Sequence, residues 1–96
     1  MTSKQRKALQ AIASNVDAIG QIGKGGLSDP MLKSFSDALD KRELIKISVL
    51  QNAELTAKEY GFQLADALSA ECVIAIGRKV VLYRRSTRDD VKHIEF

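Results

Sequence analysis

The sequence predicts an α/β domain in the order α-β-α-β-α-β-β, compact, with its helices packed on a mixed four-stranded sheet. Apolar residues recur at helical spacing in three stretches, β-branched or alternating apolar runs of strand length lie between and after them, and Gly77-Arg78 alone joins the last two runs. The two strand-helix-strand steps favour right-handed crossovers, and the two-residue loop folds the final pair antiparallel.

Thr2 and Ser3 can cap a first helix running to about Asn15, with Leu9, Ile12 and Val16 on one face. Lys4, Arg6 and Lys7 crowd its first turns against the helix dipole, an arrangement that suits either a solvated basic end or a polyanion partner. Residues 17–22 read as a short strand that runs into Gly23-Lys24-Gly25-Gly26. Helical spacing resumes over residues 27–42 through Met31, Leu32, Phe35, Ala38 and Leu39. Ser28 is its natural N-cap, with Asp29 and Pro30 in the first turn, where a carboxylate suits the dipole and a missing N–H costs nothing.

Over residues 43–50, Ile45, Ile47 and Val49 alternate with Leu44, Lys46 and Ser48, the period of a half-buried strand. Gln51-Asn52 turns the chain into a third helix, residues 53–70, with Ala57, Tyr60, Leu64 and Leu68 inward. Gly61 weakens that helix by up to about 1 kcal/mol relative to Ala and marks close packing against a neighbour. Residues 71–76 and 79–84 form the closing hairpin. The domain therefore spans residues 1–86, and residues 87–96 read as a polar C-terminal tail in which Val91, Ile94 and Phe96 could pack.

Ninety-six residues with 45% hydrophobic and 28% charged side chains make one small globular domain, too short for a deep catalytic cleft plus a regulatory site. The excess of 15 Lys and Arg over 12 Asp and Glu gives a net charge of +3, too small to identify a polyanion partner by itself. The single cysteine, Cys72, excludes an internal disulfide, and with only His93 beside it in composition no structural zinc site can form. Residues 72–76 and 80–83 are far shorter than the roughly 20 apolar residues a bilayer demands. Gln10, Ser14 and Asn15 break what would be the apolar core of a signal peptide. A soluble, cytoplasmic, monomeric protein without cofactor or metal is expected.

Most of the chemistry lies in Gly23-Lys24-Gly25-Gly26. No Ser or Thr follows the lysine as in a Walker A loop, and a dinucleotide fingerprint would need its third glycine where Ser28 stands. The spacing fits G-x-x-G at a helix start, the phosphate clamp of KH-type modules: residues without Cβ admit a sugar-phosphate backbone, exposed amides meet its oxygens, and Lys24 adds a cation. The plainer explanation is a tight turn with positive φ. Lys4, Arg6, Lys7, Lys46, Arg78, Lys79, Arg84 and Arg85 could surround the loop, whereas Asp37, Asp40, Glu43, Glu54, Glu59 and Asp66 concentrate on the second and third helices.

The segments Lys4-Gln5-Arg6-Lys7, Gln21-Ile22-Gly23-Lys24-Gly25-Gly26-Leu27, the run from Glu43 through Asn52, and the run from Ile76 through Arg84 stand in order over about residues 2–86. Together they resemble the YhbY family of bacterial proteins, stand-alone versions of the CRM RNA-binding domain also found in plant organellar splicing factors. The resemblance implies a fold similar to the C-terminal domain of translation initiation factor three, an RNA-binding rather than enzymatic role, and association with ribosomal RNA in precursors of the large (50S) subunit. It places the RNA-contacting loop on Gly23, Lys24, Gly25 and Gly26, with a basic surface on Lys4, Arg6, Lys7, Lys46, Arg78 and Lys79. Gly20 and Gly61 depart from the expected pattern and put local stability in question.

Other functions have less support. His93 lies in the tail and no G-x-S-x-G elbow is present, which argues against a hydrolase; carboxylate pairs such as Asp37 and Asp40 read as solvated, not as metal ligands. An enzyme acting on a phosphorylated small molecule would have only Ser28 and Asp29 near the loop, and capping explains both. The aromatics are too few for a base-stacking sheet. The main rival is a protein-interaction module that docks on a ribosomal protein or assembly factor through a sheet edge or the tail, without touching RNA.

Overall fold

All three helices begin at a hydroxyl side chain. In the computed structural model, which describes residues 1–96, Thr2 Oγ1 accepts from the Gln5 amide at 3.1 Å and Gln5 Oε1 accepts from the Thr2 amide at 2.9 Å, a capping box that starts α1 (Ser3–Ala13). Ser28 Oγ accepts from the Met31 amide at 3.3 Å and starts α2 (Asp29–Arg42). Thr56 and Glu59 repeat the capping box at α3 (Ala57–Leu68). Helix α3 therefore begins later than residue 53: the reciprocal Thr56 and Glu59 bonds satisfy amides that a longer helix would have to cover otherwise.

The strands β1 (Ala18–Ile22), β2 (Leu44–Val49), β3 (Glu71–Ile76) and β4 (Lys79–Tyr83) form one mixed sheet in the order β1-β2-β4-β3. Strand β1 runs parallel to β2, and β4 is antiparallel to both of its neighbours, β2 and β3. This is the architecture the sequence predicts, with element ends moved by up to four residues.

Helices α2 and α3 cover one face. Their Phe35, Leu39, Tyr60 and Leu64 pack with Ile22, Ile45, Ile47, Val49, Val80 and Leu82 of the sheet in the larger core. Helix α1 lies on the other face, where Leu9 and Ala13 pack with Leu44, Val73 and Val81. Strand β2 is consequently buried on both faces for most of its length instead of half-buried. Gly20 and Gly61 have a common explanation. A Cβ at Gly20 would lie 2.9 Å from Phe35 Cε1, and one at Gly61 would lie 2.8 Å from Cys72 Sγ, so each glycine lets a helix approach the sheet closely.

Residues 87–96 form no helix or strand, yet they are tied down. Glu43, fully buried at the C-cap of α2 with φ 65°, accepts from the Ser86 and Ile94 amides at 2.7 Å each and lies 2.6 Å from His93 Nδ1. Ile94 packs on the α1-side core and Phe96 meets Tyr83 edge to face.

Candidate nucleic-acid interface

One end of the sheet gathers the glycine loop, the end of β2 and the β3–β4 turn. The Leu50 amide donates to Ile22 O at 2.8 Å, and the Val49 amide donates to Arg78 O at 2.7 Å, which fixes both turns against β2. Within the glycine loop, the Gly26 amide closes the turn on Gly23 O at 3.0 Å, and Gly26 has φ +68°. That conformation accounts for Gly26. It does not account for Gly25, where an added Cβ would meet nothing within 4 Å and φ is ordinary.

The amides of Lys24 and Gly25 have no hydrogen-bond partner in the protein, and both residues are exposed. The start of α2 contributes less than a bare helix end would. Ser28 takes the Met31 amide, Pro30 has none, and the Asp29 carboxylate already sits at the positive end of the dipole. The donors open to an anion are thus those of the turn before the helix, with the Lys24 ammonium beside them.

Beyond the loop, two cross-strand rows lie on the sheet face that α1 partly covers, with Val81 under the helix and Gln21, Lys79 and Ile76 exposed. The first runs Gln21, Ser48, Lys79 and Ile76; the second runs Ala18, Lys46, Val81 and Ile74. Lys79 Nζ donates to Ser48 Oγ at 2.5 Å. The ion pairs of the protein join Lys33 to Asp37, Arg84 to Asp40 and Arg88 to Asp90, and Glu43 meets the His93 imidazole, so Lys24, Lys46, Arg78 and Lys79 all lack a carboxylate partner.

The structure thus brings Gly23, Lys24, Gly25 and Gly26 together with Arg78 and Lys79 at one end, and Lys46 one step along the same open face. It does not bring the α1 cations to them. Lys4 and Lys7 are exposed on the first turns of α1, and Arg6 donates to Cys72 O and Val73 O at 2.7 Å each, holding the bulge in β3. Arg84 is committed in the same way: its guanidinium bonds Leu68 O and Ser36 O at 2.8 Å and Asp40 at 3.0 Å. Sequence reasoning passed over Gln21 and Ser48, which become visible only through the register that sets Ser48 opposite Lys79. Groups of metal-ligating residues that could hold an ion are absent, and no helix is long and apolar enough to cross a membrane.

Fold and site together define a small α/β domain whose strand, glycine turn and helix adjoin an open sheet face bearing unpaired lysines. The chain belongs to the CRS1/YhbY (CRM) domain family, whose profile matches residues 1–84. It is 40% identical over 95 residues to the probable RNA-binding protein YqeI of Bacillus subtilis strain 168, covering 99% of this chain and 97% of that one. A Haemophilus influenzae protein named as RNA-binding is 29% identical over 86 residues, covering 90% and 87% of the two chains. The solution structure of the Staphylococcus aureus protein SAV1595, described as a candidate RNA binder, superposes with a TM-score of 0.77 at 41% identity, covering 98% of this chain and 99% of that one.

Proposed function

We propose that this protein binds RNA without catalysis, gripping the sugar-phosphate backbone at the Gly23–Gly26 turn, and that its target is ribosomal RNA in precursors of the large subunit, whose assembly it assists as a cytoplasmic monomer. The observation that carries the reading is the pair of unpartnered amides at Lys24 and Gly25, set beside a lysine without a counter-charge and a glycine whose missing side chain nothing in the fold requires. Phosphate contacts of this kind position an RNA strand without reading its sequence. The RNA-binding names of the relatives support the choice of polyanion. The large-subunit target rests on the family resemblance of the four sequence segments.

Crosslinking in cells, followed by sequencing of bound RNA for the wild type and Gly25→Asp, tests the proposal. The expected result is enrichment of large-subunit ribosomal RNA or its precursor, lost in the variant. Reads at background for the wild type would overturn it. A second reading, docking on a protein, is favoured by one observation: Phe62, 63% exposed, shares a surface groove with Cys72, Val73, Ile74 and Ala75 of the edge strand β3. It predicts salt-insensitive capture of a protein that Phe62→Ser abolishes and Gly25→Asp spares.

A further inference from the structure

Between the last turns of α1 and the β3–β4 hairpin lies a groove of about 250 Å³, on the open face of the sheet. Its floor is apolar: Ala13, Ile74, Ile76 and Val81. Its rim is Gln10, Ser14, Lys46 and Lys79, and no carboxylate lines it. Ile76 is 66% exposed, a large apolar side chain left mostly uncovered. The bulge between Cys72 and Ile74, fastened by Arg6, is what brings Val73 and Ile74 together onto the α1 side and shapes this floor.

The geometry points to this groove as a nucleotide subsite, in which one unpaired RNA base lies on Ile74 and Ile76 while Lys46 and Lys79 hold the adjoining phosphates. It rests on the RNA-binding reading above and adds a place where a base, and not only the backbone, is held. Three features select a nucleotide. The volume suits a single planar base, which gains by leaving water for an apolar floor. The Gln10 carboxamide makes no hydrogen bond within the protein, and the Ser14 hydroxyl, which donates to Ala11 O at 2.7 Å, keeps its lone pairs free; both can therefore meet the polar edge of a base. Lys46 has no internal partner and Lys79 spends one proton on Ser48, so two ammonium groups stand uncompensated at the rim.

The groove is also continuous with the glycine turn. Gln21 directly precedes Ile22 and Gly23, and the row from Gln21 through Ser48 to Lys79 ends at Ile76. A single strand held by the Lys24 and Gly25 amides can follow that row across the open sheet into the groove. An acidic peptide would find the same two lysines, but it would not need the Gln10 and Ser14 edge or the uncovered Ile76 floor.

The test is a titration of isotope-labelled protein with a short single-stranded RNA, followed by amide shifts and repeated with Ile76→Ser, Lys46→Ala and Gly25→Asp. Ile76 is exposed, so its variant keeps the fold. The subsite predicts shifts at both the loop and the groove. Ile76→Ser should lower affinity about tenfold with an unchanged salt slope, since only apolar contact is lost. Lys46→Ala should flatten the log-log salt slope by about 0.7. Shifts confined to the loop, with Ile76→Ser binding as the wild type does, would overturn the subsite and leave the loop reading standing. An RNA that moves no amide overturns both. A groove that responds to an acidic peptide and not to RNA overturns the subsite in favour of a protein partner.

Discussion

Lys79 reaches across the β2–β4 ladder to donate a hydrogen bond to Ser48 Oγ at 2.5 Å, and neither it nor Lys46 meets a carboxylate. Arg6 and Arg84, by contrast, spend their guanidinium groups on backbone carbonyls. Arg6 and Arg84 thus hold the fold together, whereas Lys46 and Lys79 are left without a counter-charge on one face.

That division predicts opposite phenotypes. Lys79→Ala should lower stability by no more than about 1 kcal/mol, through the loss of its bond to Ser48, and flatten the salt dependence of RNA binding by about 0.7 in log-log slope. Arg6→Ala should leave the slope alone and lower stability by about 1 to 2 kcal/mol, because two half-buried carbonyls lose a charged donor. Denaturant midpoints and salt titrations of the two variants check both.

The last two glycines of the loop should separate in the same manner. Gly26→Ala puts a Cβ at φ +68° and should cost about 1 to 2 kcal/mol. Gly25→Ala should change stability by less than about 0.5 kcal/mol, since its Cβ enters open space. Thermal melts measure the difference, and equal losses would contradict the backbone described for this turn.

Gly61 and Cys72 form a coupled pair. Alanine at Gly61 gains up to about 1 kcal/mol of helix propensity, but its Cβ would stand 2.8 Å from Cys72 Sγ, and overpacking of this kind costs about 1 to 3 kcal/mol. Gly61→Ala should therefore destabilise, and Cys72→Ala should restore most of the loss. A double-mutant cycle in urea reads the coupling directly.

The tail should loosen in acid. Burial pushes the Glu43 carboxyl up, but hydrogen bonds from His93, Ser86 and Ile94 and the charge of His93 outweigh it, leaving the group below its ordinary value of 4.5. A depressed carboxylate contributes stability that is present above its unfolded value and lost as pH falls through the folded one. Stability should therefore decline below about pH 4.5. Glu43→Gln should cost about 2 kcal/mol at neutral pH and remove that part of the decline, as followed by urea unfolding across pH.

Much of this was legible in the sequence because local signals agreed with the final packing. The alternation through Ile45, Ile47 and Val49, the Ser28 cap and the Gly77-Arg78 turn each name their element with no help from elsewhere. The start of α3 was not read, although Thr56 and Glu59 stand at capping-box spacing, because Ala53 and Leu55 extend the apolar pattern upstream. What could not be read is long-range. Arg6 and Lys7 look alike as cations, and only the carbonyls of Cys72 and Val73, more than sixty residues away, tell them apart. The second burial face of β2 depends on where α1 returns, and the tail depends on Glu43 meeting Ser86, His93 and Ile94.

The most direct measurement of the central claim is the affinity of the wild type and of Gly25→Asp for single-stranded RNA across a salt series, with melting curves of both proteins alongside. A carboxylate set where Lys24 and Gly25 offer their amides should repel phosphate and weaken binding by about tenfold or more, with the melting temperature unchanged. Equal affinity of two equally folded proteins would contradict the claim that this turn holds the RNA.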